Sequence, residues 1–208
     1  MPQLDLFAMV PAKEQLPEET RQRILAAAEQ RFRQFGYNKT TMAEIAKDCD
    51  MSAANLYRYF ENKLSIGAAL ACTCLNKEIE KLRAVVFNKN LSPAGKIHEF
   101  VLATLDHVHT QWSETPRVNE MVTAICQERL DIVDQHVQNK QALLITLLRE
   151  GNQQGVFDVA DPQVTSEAIL TAITLFEVPL FMPLFSREAF ERKAKHLASL
   201  LLNGLLKR

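Results

Sequence analysis

Apolar residues recur every three or four positions along most of this chain, which is the periodicity of amphipathic α-helices. The first such stretch predicts a helix over residues 18–35, which Gly36 ends. Its predicted core stripe consists of Ile24, Leu25, Ala28, Phe32 and Phe35. The residues before it lack this periodicity and contain three prolines, so residues 1–17 are predicted to form an arm.

Two much shorter helical patterns follow in the segment TTMAEIAKDCDMSAANLYRYFENK, residues 40–63. The first has Thr40 or Thr41 as its N-cap, and the second begins at Ser52. Helices this short bury little surface alone, so they must pack on another element, and we expect Phe60 to fill the shared core. Two short helices joined at a tight turn predict a helix-turn-helix, whose second helix fits a DNA major groove.

The remainder of the chain predicts a series of longer helices. Cap and breaker residues place them at 63–87, from 92, from 115, at 131–153, at 162–178 and at 187–206. The start signals are Glu61–Asn62, Ser92–Pro93 and Thr115–Pro116, and the expected stops are Gly151 and Gly155. Six glycines and eight prolines in 208 residues agree with an all-α protein.

The order of these signals resembles the DNA-binding region of TetR-type (TetR/AcrR) bacterial transcriptional regulators. The resemblance covers residues 20–66: the helix TRQRILAAAEQRFRQFG, then T-T-x-x-x-I-A, then S-x-x-x-L-Y-R-Y-F-x-x-K. It implies a three-helix helix-turn-helix domain at 18–62, joined through a long fourth helix to a helical bundle at 63–208 that binds an effector and dimerises. It also implies a homodimeric, sequence-specific repressor that a small ligand releases from a palindromic double-stranded DNA operator.

The resemblance assigns DNA-phosphate contacts to Thr41, Tyr57, Tyr59 and Lys63. A tyrosine joins a rigid apolar ring to a polar tip, and a lysine at a helix start adds charge to free N–H donors. Thr41 is a candidate for a phosphate contact, for an N-cap, or for both. The apolar arm is left open between an unordered segment, packing on a neighbour, and an approach of Lys13 to the minor groove.

Base reading is expected from the start of the recognition helix. Asparagine pairs with adenine and alanine contacts a thymine methyl group, so the candidates are Ser52, Ala53, Ala54, Asn55 and Arg58. Arg58 is equally a candidate for a phosphate contact or a solvated side chain. The family often has basic residues where Ala43 and Ala53 stand, and glycine where Asp50 stands, at a turn position that favours positive φ.

The C-terminal region carries no charged motif for a defined ligand. A small, largely apolar effector is expected in a pocket lined by Phe100, Thr104, His107, Trp112, Met121, Ile125 and Phe176. The two closing helices are too apolar for one buried face each, which suits the family's four-helix dimer interface. The predicted interface residues are Leu175, Phe190, Leu197, Leu201 and Leu205.

Charge and motif content limit the other readings. The net charge is −1, and residues 1–65 hold nine basic and nine acidic side chains, so DNA affinity must come from a few local contacts. The four cysteines form no metal or disulfide framework, and His107 and His109 do not share a helix face. We therefore expect no metal, no cofactor, no membrane span and a cytoplasmic location. No enzyme motif is present, and the alternative is a dimeric helical module that has lost DNA binding.

Overall fold

The computed structural model describes residues 17–114, 117 and 119–206. The all-α fold is confirmed: between these residues the backbone forms no β-strand, only an isolated bridge between Phe157 and Leu206. The helices are α1 (Glu18–Phe35), α2 (Met42–Asp48), α3 (Ala53–Tyr59), α4 (Lys63–Val86), α5 (Pro93–Glu114), α6 (Asn119–Glu128), α7 (Leu130–Gln153), α8 (Pro162–Glu177) and α9 (Arg187–Leu205), with a 3₁₀ helix at Pro179–Leu184 between the last two.

Cap chemistry explains why the helices begin where they do. Thr41 is the N-cap of α2, while Thr40 is buried and donates from its hydroxyl to the Gly36 carbonyl at 2.8 Å. The Asn62 side chain accepts from the Ser65 amide at 2.8 Å at the start of α4, as predicted. The predicted start of α6 at residues 115–116 lies outside the described residues, and so does the arm up to residue 16.

The described chain divides into two compact units. One contains residues up to 76 together with those from 117 to 135, and the other contains 77–114 and 136–206. This division differs from the predicted boundary at residue 63, because the first unit also includes the start of α4, all of α6 and the start of α7. None of the described helices is long and apolar enough to cross a membrane.

The core of the first unit is formed by residues from α1 to α4, from α6 and from the start of α7. Phe60 is buried in this core, as predicted. Gly67 allows close packing, since a Cβ there would lie 3.2 Å from the Tyr37 ring and 3.3 Å from Met121. The prediction for Phe35 is wrong: its side chain is 46% exposed, and the Arg31 guanidinium lies over its ring.

The second unit is a bundle whose core includes Phe100, Leu105, Leu144, Ile173 and Phe190. Gly151 and Gly155 are both expected to end helix α7. Only Gly155 lies just past its end, with φ of +68°. Gly151 lies inside α7, where a Cβ would come within 2.0 Å of the Phe157 ring, so its role is to admit that ring. Val137 of α7 is exposed.

Candidate nucleic-acid interface

Helix α2 is fastened at its first turn by a capping box. The Thr41 hydroxyl accepts from the Glu44 amide at 3.3 Å, and the Glu44 carboxylate accepts from the Thr41 amide and hydroxyl at 2.8 Å each. These hydrogen bonds lower the pKa of Glu44. Thr41 is exposed, so its N-cap role leaves the side chain accessible from solvent. Arg31 of α1 binds Asp48 at the other end of α2 through two hydrogen bonds of 2.6 and 2.8 Å.

The turn between α2 and α3 depends on Asp50. Its φ is +52°, which is the left-handed conformation expected from the sequence. The reversed chain then continues through Met51 to Ser52, whose hydroxyl caps α3 by accepting from the Asn55 amide at 3.1 Å. Buried Leu56 and Phe60 anchor the helix to the core. Both ends of this seven-residue helix are therefore fixed.

Four of the nine predicted DNA-contact residues are exposed on α3 and its cap. Ser52, Ala54, Tyr57 and Arg58 are exposed, and the Tyr57 side chain is 47% exposed. Asn55 is half-buried. Ala53 and Tyr59 are also half-buried and pack against the core of the first unit, so they offer less surface to a partner.

Lys63 opens α4 but points its ammonium at the loop that precedes α2. Nζ donates to the carbonyl oxygens of Tyr37, Asn38 and Thr40 at 2.8, 3.3 and 2.9 Å. It also lies 4.5 Å from the centroid of the Tyr37 ring. Burial lowers the pKa of Lys63, against the opposing effect of the Glu120 carboxylate. A direct phosphate contact would require the ammonium to exchange at least one of these carbonyls.

The predicted effector-pocket residues belong to two different hydrophobic cores. Phe100, Thr104, His107 and Phe176 are buried in the second unit, and half-buried Trp112 packs against the same core. Met121 and Ile125 belong to the core of the first unit instead.

A buried ionic cluster lies among the helices of the second unit. Glu78 of α4 accepts from Lys140 of α7 at 3.2 Å and contacts His136 Nε2 at 3.1 Å, and Lys140 also binds Glu177 of α8. Lys140 holds the pKa of Glu78 well below its usual value despite full burial. In the described part of the chain, His136 Nδ1 is buried and has no hydrogen-bond partner.

Two surface cavities are lined by residues outside this cluster. One of about 290 Å³ lies between α1 and α2 and is lined by residues that include Arg31 and Asp48. A more open depression of about 460 Å³ follows the outer face of α8 from Val164 to Ala172. Neither is lined by a predicted effector-pocket residue. Within the described residues, no group of three or more His, Cys, Asp or Glu side chains could hold a metal ion.

The predicted dimer residues fall into two groups. Phe190 and Leu205 are buried in the core of their own protomer, which corrects their assignment to a surface. Leu175, Leu197 and Leu201 are half-buried. The exposed apolar side chains of this region are instead Val164, Leu180, Leu184, Phe185, Leu200 and Leu206.

Family models match both parts of the chain. The model for bacterial regulatory proteins of the tetR family covers residues 24–70, and the model for the tetracyclin repressor-like C-terminal domain covers residues 93–198. The chain belongs to the TetR family. It is therefore a DNA-binding transcriptional regulator.

Similar proteins agree with this assignment. This TetR-family protein is 28% identical over 161 residues to the probable HTH-type transcriptional regulator ArpR of Pseudomonas putida. The aligned segment covers 73% of this chain and 76% of ArpR. A transcriptional regulator from Cytophaga hutchinsonii has a similar structure, with a TM-score of 0.68 at 19% identity over 89% of this chain and 98% of that one. The structure of SmeT, the repressor of the Stenotrophomonas maltophilia multidrug efflux pump SmeDEF, has a TM-score of 0.65 at 17% identity. The match covers 93% of this chain and 92% of SmeT.

Several residues of this TetR-family protein were missed from the sequence. Glu78, His136, Lys140 and Glu120 all make contacts with residues far away in the chain. One signal was available: Ile132, His136, Lys140 and Leu144 are spaced by four, so two polar residues occupy the register of an apolar stripe. Polar residues in that register predict a buried polar network, though not its partners.

Proposed function

We propose that this protein is a ligand-released repressor that binds a palindromic operator as a homodimer. The observation that carries the DNA-binding part is the exposed face of α3, which a cap at Ser52 and buried anchors at Leu56 and Phe60 hold rigidly in place. Two such helices in a two-fold dimer would enter successive major grooves about 34 Å apart. The cytoplasm, where chromosomal DNA lies, is the proposed location.

Thr41, Tyr57, Tyr59 and Lys63 are proposed to hold the DNA backbone. Thr41 and Tyr57 are the more exposed of these, so a phosphate can reach their side chains. The Thr41 hydroxyl would exchange its bond to Glu44 for one to the phosphate. Tyr59 presents only part of its ring, and Lys63 would add positive charge next to the loop that it organises. These contacts are independent of base sequence, and they set the register of the protein on the duplex.

Ser52, Ala53, Ala54, Asn55 and Arg58 are proposed to face the bases. Ala54 and Arg58 are exposed, so a thymine methyl group and a guanine edge are their natural partners. Ala53 packs against the core and leaves its neighbours to make the direct contacts. With few basic groups on α3, DNA shape is expected to supply part of the specificity.

Binding to DNA is tested by selection from a random duplex library, followed by titration of the selected sequence. We expect a palindrome with half-sites about one helical turn apart. Tyr57→Phe, which removes only a hydroxyl, should weaken binding to every duplex by roughly threefold to tenfold. Asn55→Ala should relax the preference at one base position. An equal loss on all duplexes from Asn55→Ala refutes its base-reading role, and no binding at low salt favours the module that has lost DNA binding.

The dimer is proposed to form through α8 and α9. Val164 and Leu200 are 62% and 67% exposed, and small Ala168 and Ala172 follow Val164 at four-residue spacing along α8. Small residues let a facing helix approach closely, and exposed large apolar side chains are costly in a monomer. Leu175, Leu197 and Leu201 would contribute their remaining exposed surface, while Phe190 and Leu205 support the interface from beneath.

Sedimentation of charged variants tests the interface. Leu200→Asp should shift the protein towards the monomer, because the carboxylate would be buried without a partner. Val137→Asp is the matched control, since Val137 is an exposed apolar residue on α7, outside the proposed interface. Dimerisation that survives Leu200→Asp and Ala168→Asp together excludes this surface.

The effector is proposed to bind among the helices of the second unit, near Phe100, Thr104, His107, Trp112 and Phe176. These side chains supply apolar walls, so a largely apolar body is favoured. The ionic cluster also favours an effector that carries a polar group. Because His136 Nε2 contacts Glu78, Nδ1 is the ring nitrogen left without a partner, and an effector hydroxyl or amine would satisfy it. The interior must open to admit such a ligand.

Helix α4 provides the proposed route of release. It is continuous from Lys63 at the helix-turn-helix to Glu78 in the buried cluster. An effector that favours a shifted α4 would bias the dimer away from the spacing that fits the operator. Equal affinity of an effector for free and operator-bound protein would exclude this coupling.

Release of labelled operator by a panel of aromatic phenols and amines tests the effector site. For a compound that releases DNA, His136→Phe should raise the required concentration at least roughly tenfold. The same compound without its hydroxyl or amine should act equally on wild type and variant. Val137→Ala, at the adjacent position of α7, is the control. If both analogues lose potency equally in His136→Phe, the proposed hydrogen bond is absent.

A further inference from the structure

The loop between α1 and α2 is held by side chains from two other helices. Lys63 of α4 donates to three of its carbonyl oxygens, those of Tyr37, Asn38 and Thr40. Glu120, in the first turn of α6, accepts from the backbone amide of Asn38 at 2.8 Å. An ammonium thus binds the acceptors of this loop and a carboxylate binds a donor. Both charges act on a five-residue segment that leads into Thr41.

Glycine at position 36 makes room for this carboxylate. A Cβ on Gly36 would lie 3.1 and 3.2 Å from the two Glu120 oxygens, and φ of +91° makes a side chain there unfavourable in any case. The guanidinium of Arg117, just before α6, donates to the Gln34 carbonyl near the end of α1. Arg117 and Glu120 therefore contact the chain on either side of Gly36.

Apolar packing fixes α6 in register with this contact. Met121, the residue after Glu120, is buried next to Gly67, and Ile125 is buried one turn later. Tyr37 itself is buried and meets Phe32 edge to face at 5.1 Å. Glu120 consequently stands on a rigid base, although its own side chain is exposed.

We infer that Glu120 is a positioning residue for DNA binding: it clamps the α1–α2 loop so that Thr41 and the start of α2 are presented to the DNA backbone. The clamp is a preorganising contact, because the ordering of the loop is completed before DNA arrives. It rests on the proposed phosphate contact of Thr41, but it assigns a role to α6 that the helix-turn-helix motif does not contain.

The loss of the Glu120 charge and the loss of its hydrogen bond should change DNA affinity in opposite directions. Removing a negative charge from the DNA-binding unit should strengthen binding to phosphate. Glu120→Ala removes that charge and also the acceptor for the Asn38 amide, and we expect binding to weaken by roughly threefold to tenfold. Glu120→Gln removes the charge but keeps a carbonyl oxygen as acceptor, so it should bind as tightly as wild type or more tightly.

Glu128→Ala is the matched control, because it removes the same charge from the other end of α6. Anisotropy titration of a labelled random-sequence duplex at low salt measures all four proteins, since phosphate contacts need no operator. Amide hydrogen exchange of the 37–41 segment should be faster only in Glu120→Ala. Its melting temperature should stay within about 3 °C of wild type, because an exposed hydrogen bond contributes little to folding.

The outcomes separate the two proposals. If wild type does not bind duplex DNA, the proposed function fails, and the exchange measurement still decides whether Glu120 clamps the loop. Should Glu120→Ala bind DNA as tightly as Glu128→Ala, or exchange its 37–41 amides no faster, the clamp is refuted. A misfolded Glu120→Ala would leave Glu120→Gln and Glu120→Leu to make the same comparison, with and without an acceptor.

Discussion

Asp50 shows how a single residue can be both required and imperfect. The turn between α2 and α3 needs a left-handed backbone conformation, which costs an L-residue about 1–2 kcal/mol and costs glycine almost nothing. Aspartate adopts it more readily than most residues, and its φ is +52°. The sequence predicted this conformation because a family turn usually occupied by glycine was recognisable at this position.

Replacing Asp50 with glycine is therefore expected to stabilise the protein. The gain in the free energy of unfolding should be about 0.5–1 kcal/mol, because relief of backbone strain exceeds the added entropy of the unfolded chain. Urea titration followed by circular dichroism measures it. Asp50→Ala is the control and should be destabilising, and a gain from alanine as well would show that strain is not the cause.

At the scale of elements, the predicted helices agree with the structure wherever local chemistry sets their ends. Ser52, Asn62 and Pro93 mark starts that the structure places at the same residues, within one position. The predictions differ from the structure where they depend on which neighbouring helix an apolar face packs against. Met121 and Ile125 lie in the core of the first unit, whereas the other predicted pocket residues lie in the second, and Phe190, predicted at the dimer interface, lies in the core of its own protomer.

The candidate site divides in the same way. The exposed face of α3 follows from the motif, because a short helix has few ways to pack its apolar side. The contacts of Lys63 and Glu120 with the α1–α2 loop do not follow from it, since they join residues 25 and 82 positions apart in the chain. Periodicity shows which side of a helix is buried, whereas distant pairing depends on the assembled fold.

Helix α7 and the chain after it are joined by a close contact that a methyl group should break. Gly151→Ala would place Cβ within 2.0 Å of the Phe157 ring, and we expect the free energy of unfolding to fall by about 1–3 kcal/mol. Thermal and urea unfolding measure this loss. Phe157→Leu in the same chain should restore part of it.

Gly204→Ala is the matched control for this substitution. Gly204 also lies in a helix, but a Cβ there would meet nothing within 4 Å. That variant should be neutral or up to about 1 kcal/mol more stable, because alanine is the better helix former. Similar losses at both glycines would mean that helix propensity, not the Phe157 ring, explains Gly151.

For the whole molecule, the buried groups of the second unit predict how stability depends on pH. Burial lowers the pKa of His107, so its contribution is present above the unfolded-state value of about 6.5 and declines as pH falls below it. Lys140 lowers the pKa of Glu78, so that contribution is lost only below about pH 4.3. The pKa of Lys140 is raised, and its contribution is lost at strongly alkaline pH.

Stability should therefore fall in two steps as the solution is acidified, the first beginning near pH 6.5 and the second near pH 4.3. Urea midpoints measured from pH 8 to pH 3 would show both. His107→Gln should remove the first step, and the pair Glu78→Leu with Lys140→Met should weaken the second. A single step that persists unchanged in both variants would assign the acid sensitivity to other carboxylates.

The discontinuous first unit limits how such a regulator can be rebuilt. A hybrid that joins the DNA-binding domain of one family member to the C-terminal domain of another would ordinarily be joined after the helix-turn-helix, near residue 62. Here that junction would leave a foreign α6 facing Gly36, Tyr37 and Gly67, without the partners that Met121 and Glu120 provide. A working hybrid should instead take the α6 segment from the same protein as the DNA-binding domain, so two separate stretches of gene must be exchanged together.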